Sequence, residues 1–143
     1  MHIQPIDKEQ AWTLRHRVMW PEKELDFVKL DDDDQGLHYG LFVENNLVSV
    51  VSVFISGDEA QFRKFATQVE EQGKGYGSIL LNRVFDYARE RGVKRIWCNA
   101  RANKAAFYAK FGLIPTGDSF TKEGLPYLIM ELYLNTSDED KQI

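Results

Sequence analysis

Gln72-Gly73-Lys74-Gly75-Tyr76-Gly77-Ser78 is the stretch on which the reading of this chain turns. It follows a predicted strand, Gln61 to Val69. It opens an amphipathic helix in which Leu80, Leu81, Val84, Phe85 and Ala88 recur at helical spacing. Glycine reaches backbone angles that other residues avoid, and it lets a ligand approach the main chain closely. The first amides of a helix lack intrahelical acceptors, and the helix dipole adds partial positive charge there. Strand, glycine turn and helix in that order make an anion cradle, most often for phosphate. The competing interpretation is a glycine-rich connection that binds nothing.

Upstream of the turn, Ile3 to Ile6 reads as a short strand. Asp7 reads as the N-cap of a helix, with Gln10 completing a capping box. That helix carries Ala11, Leu14 and Val18 on one face, and Arg15, His16 and Arg17 are expected to form a partly solvated basic patch. Trp20-Pro21 interrupts it, and Pro21 suits the first turn of another short helix reaching Leu25 or Phe27. Asp31-Asp32-Asp33-Asp34 is expected to be a solvated loop, since adjacent carboxylates repel. Four consecutive aspartates are not an EF-hand pattern, so no metal is assigned. Leu37 to Glu44 and Leu47 to Ile55 read as antiparallel strands joined at Asn45-Asn46. Both faces of the second are apolar, which points to a central strand. Gly57-Asp58 then turns the chain into the strand before the glycine turn.

Downstream, the helix ends at Arg91-Gly92, with the glycine at the C′ position. Val93 to Ala100 is a strand, and Lys104 to Phe111 a short helix that Asn103 caps on one reading. Leu113 to Gly117 is a short strand, Asp118 to Gly124 a polar turn, and Pro126 to Leu134 a strong final strand. The alternation gives an α/β or α+β layered fold, a mixed sheet with helices packed on it. Residues 1–134 are expected to form one domain, followed by a polar, flexible tail at 135–143.

The chain has 143 residues and a net charge of −4. It is long enough for a proper core, and its charge argues against nonspecific nucleic-acid binding. No apolar run spans a bilayer, and the N-terminus carries no signal-peptide pattern, so a cytoplasmic setting without membrane association is expected. The single cysteine, Cys98, excludes an intrachain disulfide and reads as a buried thiol. The glycine spacing fits neither a Walker A loop nor a dinucleotide fingerprint, which disfavours a nucleotide phosphotransferase.

Gln72-x-x-Gly75-x-Gly77 resembles the acyl-CoA signature of the GNAT superfamily of N-acyltransferases, Gln/Arg-x-x-Gly-x-Gly/Ala. A second segment, Asn99-Ala100-Arg101 followed by Ala106-Phe107-Tyr108-Ala109-Lys110-Phe111-Gly112-Leu113, is similar to that family's late strand and helix. Leu113 stands where phenylalanine is usual, and Val69 where proline is frequent. Leu14-Arg15-His16-Arg17-Val18 resembles the compact bacterial ElaA-like branch. The resemblance implies a mixed, mostly antiparallel sheet flanked by helices, and acetyl-CoA as cosubstrate. It implies that main-chain groups of Phe65 and Thr67 pair with the pantetheine arm. It implies that the amides of Gln72, Gly73, Lys74, Gly75, Gly77 and Ser78 bind the pyrophosphate, with Asn103 touching the arm. Tyr108 is implied as the catalytic residue, beside the thioester sulfur.

The implied reaction is direct attack by a primary amine, of a small molecule or a protein, on the acetyl carbonyl. The base is not specified: Glu70, Glu71 and His38 are candidates, each with a structural role as the competing interpretation. A noncatalytic acyl-CoA-binding module is the alternative function. The acceptor is expected to be set by the loops Trp20 to Gly36 and Gly117 to Pro126. The aspartate run would make a cationic acceptor plausible, and the apolar strand Tyr127–Leu134 permits a homodimer.

Overall fold

A computed structural model describes residues 1–134. The tail expected at 135–143 lies outside the described residues. Seven strands form one sheet in the order β1-β2-β3-β4-β5-β7-β6. They are β1 (His2–Pro5), β2 (Leu37–Val43), β3 (Asn46–Ser56), β4 (Glu59–Thr67), β5 (Arg95–Arg101), β6 (Ile114–Lys122) and β7 (Leu125–Tyr133). Three α-helices accompany them: α1 (Lys8–Met19), α2 (Tyr76–Glu90) and α3 (Ala105–Ala109). β1 with β2, β2 with β3, β5 with β7 and β6 with β7 are antiparallel, whereas β4 and β5 are parallel. A parallel pair needs a crossover, and α2 lies in that connection. The mixed, mostly antiparallel sheet flanked by helices is the expected class.

By contacts the chain divides into two compact units: Met1–Phe54 with Phe62–Val84, and Ile55–Gln61 with Phe85 onward. In the first, Leu14 of α1, Val50 of β3 and Ala66 of β4 form a buried cluster, with Ile6, Val18, Met19 and Leu47 packed against it. Helix α1 starts as its sequence predicts. The Asp7 carboxylate accepts from the Gln10 amide at 2.7 Å, and the Gln10 side chain accepts from the Asp7 amide at 3.1 Å. In the second unit, Cys98 of β5 stands opposite Met130 of β7, and both are buried. Phe85 meets Phe111 edge-on at 5.9 Å, and Phe111 meets Phe107 at 5.2 Å. Gly92 closes α2 at φ +77°, where a side chain would be strained.

Four boundaries differ from expectation. The β2–β3 turn is Glu44-Asn45, both at positive φ, because Asn46 already pairs with Val43. β4 ends at Thr67, and Val69 begins a single 3₁₀ turn, Val69–Glu71. The short helix after Pro21 is a 3₁₀ segment, Leu25–Val28. The polar stretch 118–122 is not a turn but the second half of β6, which pairs with β7 and turns only at Glu123-Gly124. β6 is last in the sheet order, so its polar side chains stay in water while its backbone pairs on one side. Polarity alone therefore misreads an edge strand as a loop.

Candidate active site

The glycine turn is built on the end of β4. Gly73 and Gly75 have φ of +83° and +86°, a region costly for other residues. Neither has any atom within 4 Å of where a Cβ would stand, so both face open space. Gly77 is glycine for another reason. A Cβ there would lie 2.8 Å from the Phe65 ring and 3.1 Å from Thr67 Oγ1. The first turn of α2 thus presses its backbone onto β4. Gln72 donates its side-chain amide to the Thr67 carbonyl at 2.9 Å, which ties the turn to the last peptide of the strand. Ser49 holds the same strand end, bonding the Ala66 carbonyl at 3.1 Å and Thr67 Oγ1 at 2.9 Å.

The Ile79 amide bonds to Gly75 O at 3.1 Å, so the amides of Tyr76, Gly77 and Ser78 precede the intrahelical ladder. Lys74 pairs with Glu71 at 3.0 Å on the surface, and that hydrogen bond raises the Lys74 ammonium above its ordinary range. Phe65, Thr67, Gln72, Gly73, Lys74, Gly75, Gly77 and Ser78 therefore form one continuous feature of the first unit. It combines a helix N-terminus with open backbone at Gly73 and Gly75, and the Gln72 amide within it is already bonded to the Val69 carbonyl at 3.3 Å.

Asn103 and Tyr108 belong to the second unit. Asn103 lies in a 3₁₀ turn, Ala102–Lys104, and is exposed. The N-cap of α3 is Lys104, which makes no side-chain cap bond, so Asn103 is not the helix cap. Tyr108 is half-buried on α3, its ring edge-on to Phe107 at 5.3 Å. Burial pushes its phenol well above the usual range, Cys98 adds to that, and Arg101 opposes it. The phenol therefore stays protonated as a hydrogen-bond donor. Cys98 is buried, and burial pushes its thiol up to about 12, as expected for an inert core cysteine.

Arg15 and Asp33 reverse their expectations. Arg15 is 0% exposed and Asp33 is 3% exposed. They form a bidentate pair, Nη1 to Oδ2 and Nη2 to Oδ1, both at 2.9 Å. Trp12 Nε1 and the Leu30 amide also donate to Oδ2, at 2.8 and 2.9 Å. Burial would raise the Asp33 carboxyl, but Arg15, Trp12 and Leu30 outweigh it and hold it at about 2. Arg15 Nη1 also reaches the Val28 carbonyl at 3.0 Å, and Nη2 reaches Ser52 Oγ at 2.8 Å.

His38 completes this network. Its Nε2 faces the Asp33 carbonyl at 2.9 Å, an acceptor, so Nε2 carries the proton. Its Nδ1 then accepts from Ser52 Oγ at 2.6 Å. Both ring nitrogens of His38, a candidate base in the sequence, are thus engaged within the chain. Asp32 pairs with Arg63 of β4 at 3.0 Å and Asp34 with Lys8 of α1, so three of the four aspartates already have cationic partners within the chain. The sequence held one signal for Arg15: at 11, 14, 15 and 18 it shares the apolar face of α1. Nothing in four identical neighbours singled out Asp33.

A groove of about 540 Å³ runs between α1 and the start of β3, lined by Arg17, Leu14, Leu47, Gln68 and Glu70 among others. Among the described residues, no group of three or more His, Cys, Asp or Glu is placed to hold a metal. Among them, no helix is long and apolar enough to cross a membrane.

Comparison with known proteins bears on this geometry. The model of the acetyltransferase (GNAT) family matches residues 6–113. The chain is 26% identical over 147 residues to the uncharacterized N-acetyltransferase YitI of Bacillus subtilis (strain 168), covering 96% of this chain and 99% of the relative. A putative N-acetyltransferase from Lactobacillus plantarum superposes with a TM-score of 0.82 at 20% identity, covering 94% of this chain and 100% of that one. A GNAT family acetyltransferase from Elizabethkingia anophelis, solved with acetyl-CoA bound, superposes with a TM-score of 0.74 at 16% identity, covering 93% and 97%.

Proposed function

The chain belongs to the acetyltransferase (GNAT) family and is an N-acetyltransferase, and from that premise we propose how its own residues serve the reaction. The amides of Gly73, Lys74, Gly75, Gly77 and Ser78 hold the pyrophosphate of acetyl-CoA, while Gln72, expected to add its amide, spends it on Val69 and braces the turn through its side chain. The main chain of Phe65 and Thr67 aligns the pantetheine arm, and Asn103 contacts it. The observation that carries this assignment is Gly77 packed on Phe65 and Thr67, which sets the free amides of α2 at the end of β4. When bound, acetyl-CoA supplies an activated acetyl thioester.

Tyr108 keeps its phenolic proton and donates a hydrogen bond to the departing sulfur. Full proton transfer is the poorer description. An ordinary phenol, near pH 10, is already a weaker acid than a thiol near 8.5, and burial weakens this one further. The amide near Thr67 is the donor for the developing oxyanion, a contribution typically of about 3 kcal/mol. With His38 committed and Glu71 paired to Lys74, the acceptor amine loses its proton to water or through Glu70. The acceptor is a primary amine of a small molecule or a protein.

The test incubates the protein with acetyl-CoA and a panel of amines while following thiol release. Thiol release is expected with at least one amine. Tight acetyl-CoA binding with no release on any amine would overturn the assignment of Tyr108 chemistry to this chain. Unchanged CoA affinity in Gly75→Glu would overturn the placement of the pyrophosphate.

A further inference from the structure

A lysine in a phosphate-binding turn ordinarily brings the site its full positive charge, as a point charge on the phosphate. Lys74 has that place in the sequence, between Gly73 and Gly75, and it is the only basic residue from Val69 to Ser78. Its ammonium is nevertheless turned back along the chain, where Nζ donates to Glu71 Oε2 at 3.0 Å. The two ends of this pair are held differently. Glu71 belongs to the 3₁₀ turn Val69–Glu71, and its amide donates to the Gln68 carbonyl at 2.9 Å. Gln68 is anchored on β3, by its amide to the Val48 carbonyl at 2.8 Å and by its side-chain nitrogen to the Leu47 carbonyl at 2.7 Å. Gln72 closes the anchored stretch through the Val69 and Thr67 carbonyls. Beyond it, a Cβ at Gly73 or Gly75 would meet no atom within 4 Å. The carboxylate is thus fixed by the scaffold, and the lysine comes to it. Side-chain exposure agrees, at 27% for Glu71 and 54% for Lys74. A partner already held in place removes part of the ordering cost that makes most surface pairs weak.

We infer that Glu71 is a positioning residue that attenuates the cofactor site: it withholds the Lys74 ammonium from the pyrophosphate, so that main-chain amides alone grip CoA. The inference rests on the proposed placement of the pyrophosphate at this turn. Amides at a helix N-terminus bind phosphate without a full positive charge. An ammonium on the phosphate would add charge-assisted hydrogen bonds, which are stronger than neutral ones. Affinity differences within one site fall mostly on the dissociation rate, and product release limits turnover in many enzymes. A carboxylate that keeps the lysine away therefore weakens donor and product alike and lets CoA leave sooner.

A double-mutant cycle on the full chain tests this, with CoA Kd read by calorimetry and CoA release by stopped flow. Lys74→Met keeps the backbone amide and removes the charge. In wild type it is expected to change CoA Kd by less than about twofold, because the ammonium is not on the phosphate. Glu71→Gln frees the lysine and is expected to tighten CoA about threefold or more at low salt, with the dissociation rate falling by a similar factor. In the Glu71→Gln background, Lys74→Met is expected to remove that gain. Raised salt screens exposed charges, so the gain should shrink as ionic strength rises.

Equal loss of affinity from Lys74→Met in both backgrounds would place the lysine on the phosphate already and overturn the inference. So would a CoA Kd that Glu71→Gln leaves unchanged, or a gain that survives Lys74→Met, which would reflect only the removed repulsion of Glu71. Gly75→Glu is titrated alongside. If it binds CoA as wild type does, the pyrophosphate lies elsewhere, and the proposed placement falls together with the inference. If it loses CoA, the placement stands and the cycle decides on Glu71 alone.

Discussion

Tyr108 combines a partly covered ring with a phenol that burial makes a weaker acid, which suits the hydrogen-bond donor proposed for it. A residue that only donates a hydrogen bond in the transition state affects turnover, not donor binding. Tyr108→Phe is therefore expected to lower kcat by about 10² or more, within the usual span for acid–base assistance, while CoA Kd stays within about twofold. Single-turnover kinetics and calorimetry check the two halves; wild-type turnover would remove the role. The raised phenol also has a pH consequence. An ordinary phenol would ionise near 10, and losing its proton would switch off donation. With the folded value above that, kcat is expected to show no alkaline decline up to about pH 10. A descending limb centred below that, absent in Tyr108→Phe, would contradict it. Cys98 does not interfere with following thiol release, because its buried thiol, pushed up to about 12, stays unreactive at neutral pH.

The turn from β4 into α2 shows what a sequence can and cannot say about an element. Three alternate glycines read as an anion cradle, and their spacing fitted neither of two nucleotide motifs. The sequence could not say that the glycines differ. Gly75 needs its left-handed φ of +86° and faces open space, whereas Gly77 needs its missing Cβ. Different outcomes follow for the two positions. Gly75→Glu is expected to keep the fold, with backbone strain of about 1–2 kcal/mol, and to lose CoA binding through carboxylate repulsion of the pyrophosphate. Gly77→Ala must push the Phe65 ring aside, an overpacking expected to cost about 1–3 kcal/mol in stability and to disturb β4. Thermal melts with CoA titration distinguish them: both should melt below wild type, but only Gly75→Glu should lose the rise in melting temperature that CoA gives. Elements with local chemical signals, such as the capping box of α1, were legible to the residue. The second half of β6 was not, because the solvated side chains of an edge strand look like a loop in sequence.

At the scale of the whole molecule, the least legible feature is the one that links stability to pH. Arg15 looked like surface because arginine usually is, and Asp33 looked like its three neighbours. Only long-range packing joins residues 18 positions apart in a buried pair. Asp33 has a folded carboxyl near 2 against an ordinary value of 3.8. A depressed folded value means stability that is complete above the unfolded value and lost as pH falls through the folded one. The window is therefore from about pH 4 down to about pH 2. The shift corresponds to about 2 kcal/mol. Denaturant midpoints are expected to fall across that window in wild type. In the Arg15→Met, Asp33→Leu double variant this part of the slope should vanish, while Asp33→Asn should be destabilised at neutral pH by about 3–5 kcal/mol, because a buried guanidinium is left without its partner. An acid limb of equal steepness in wild type and double variant would show that other carboxylates, not Asp33, carry the acid sensitivity.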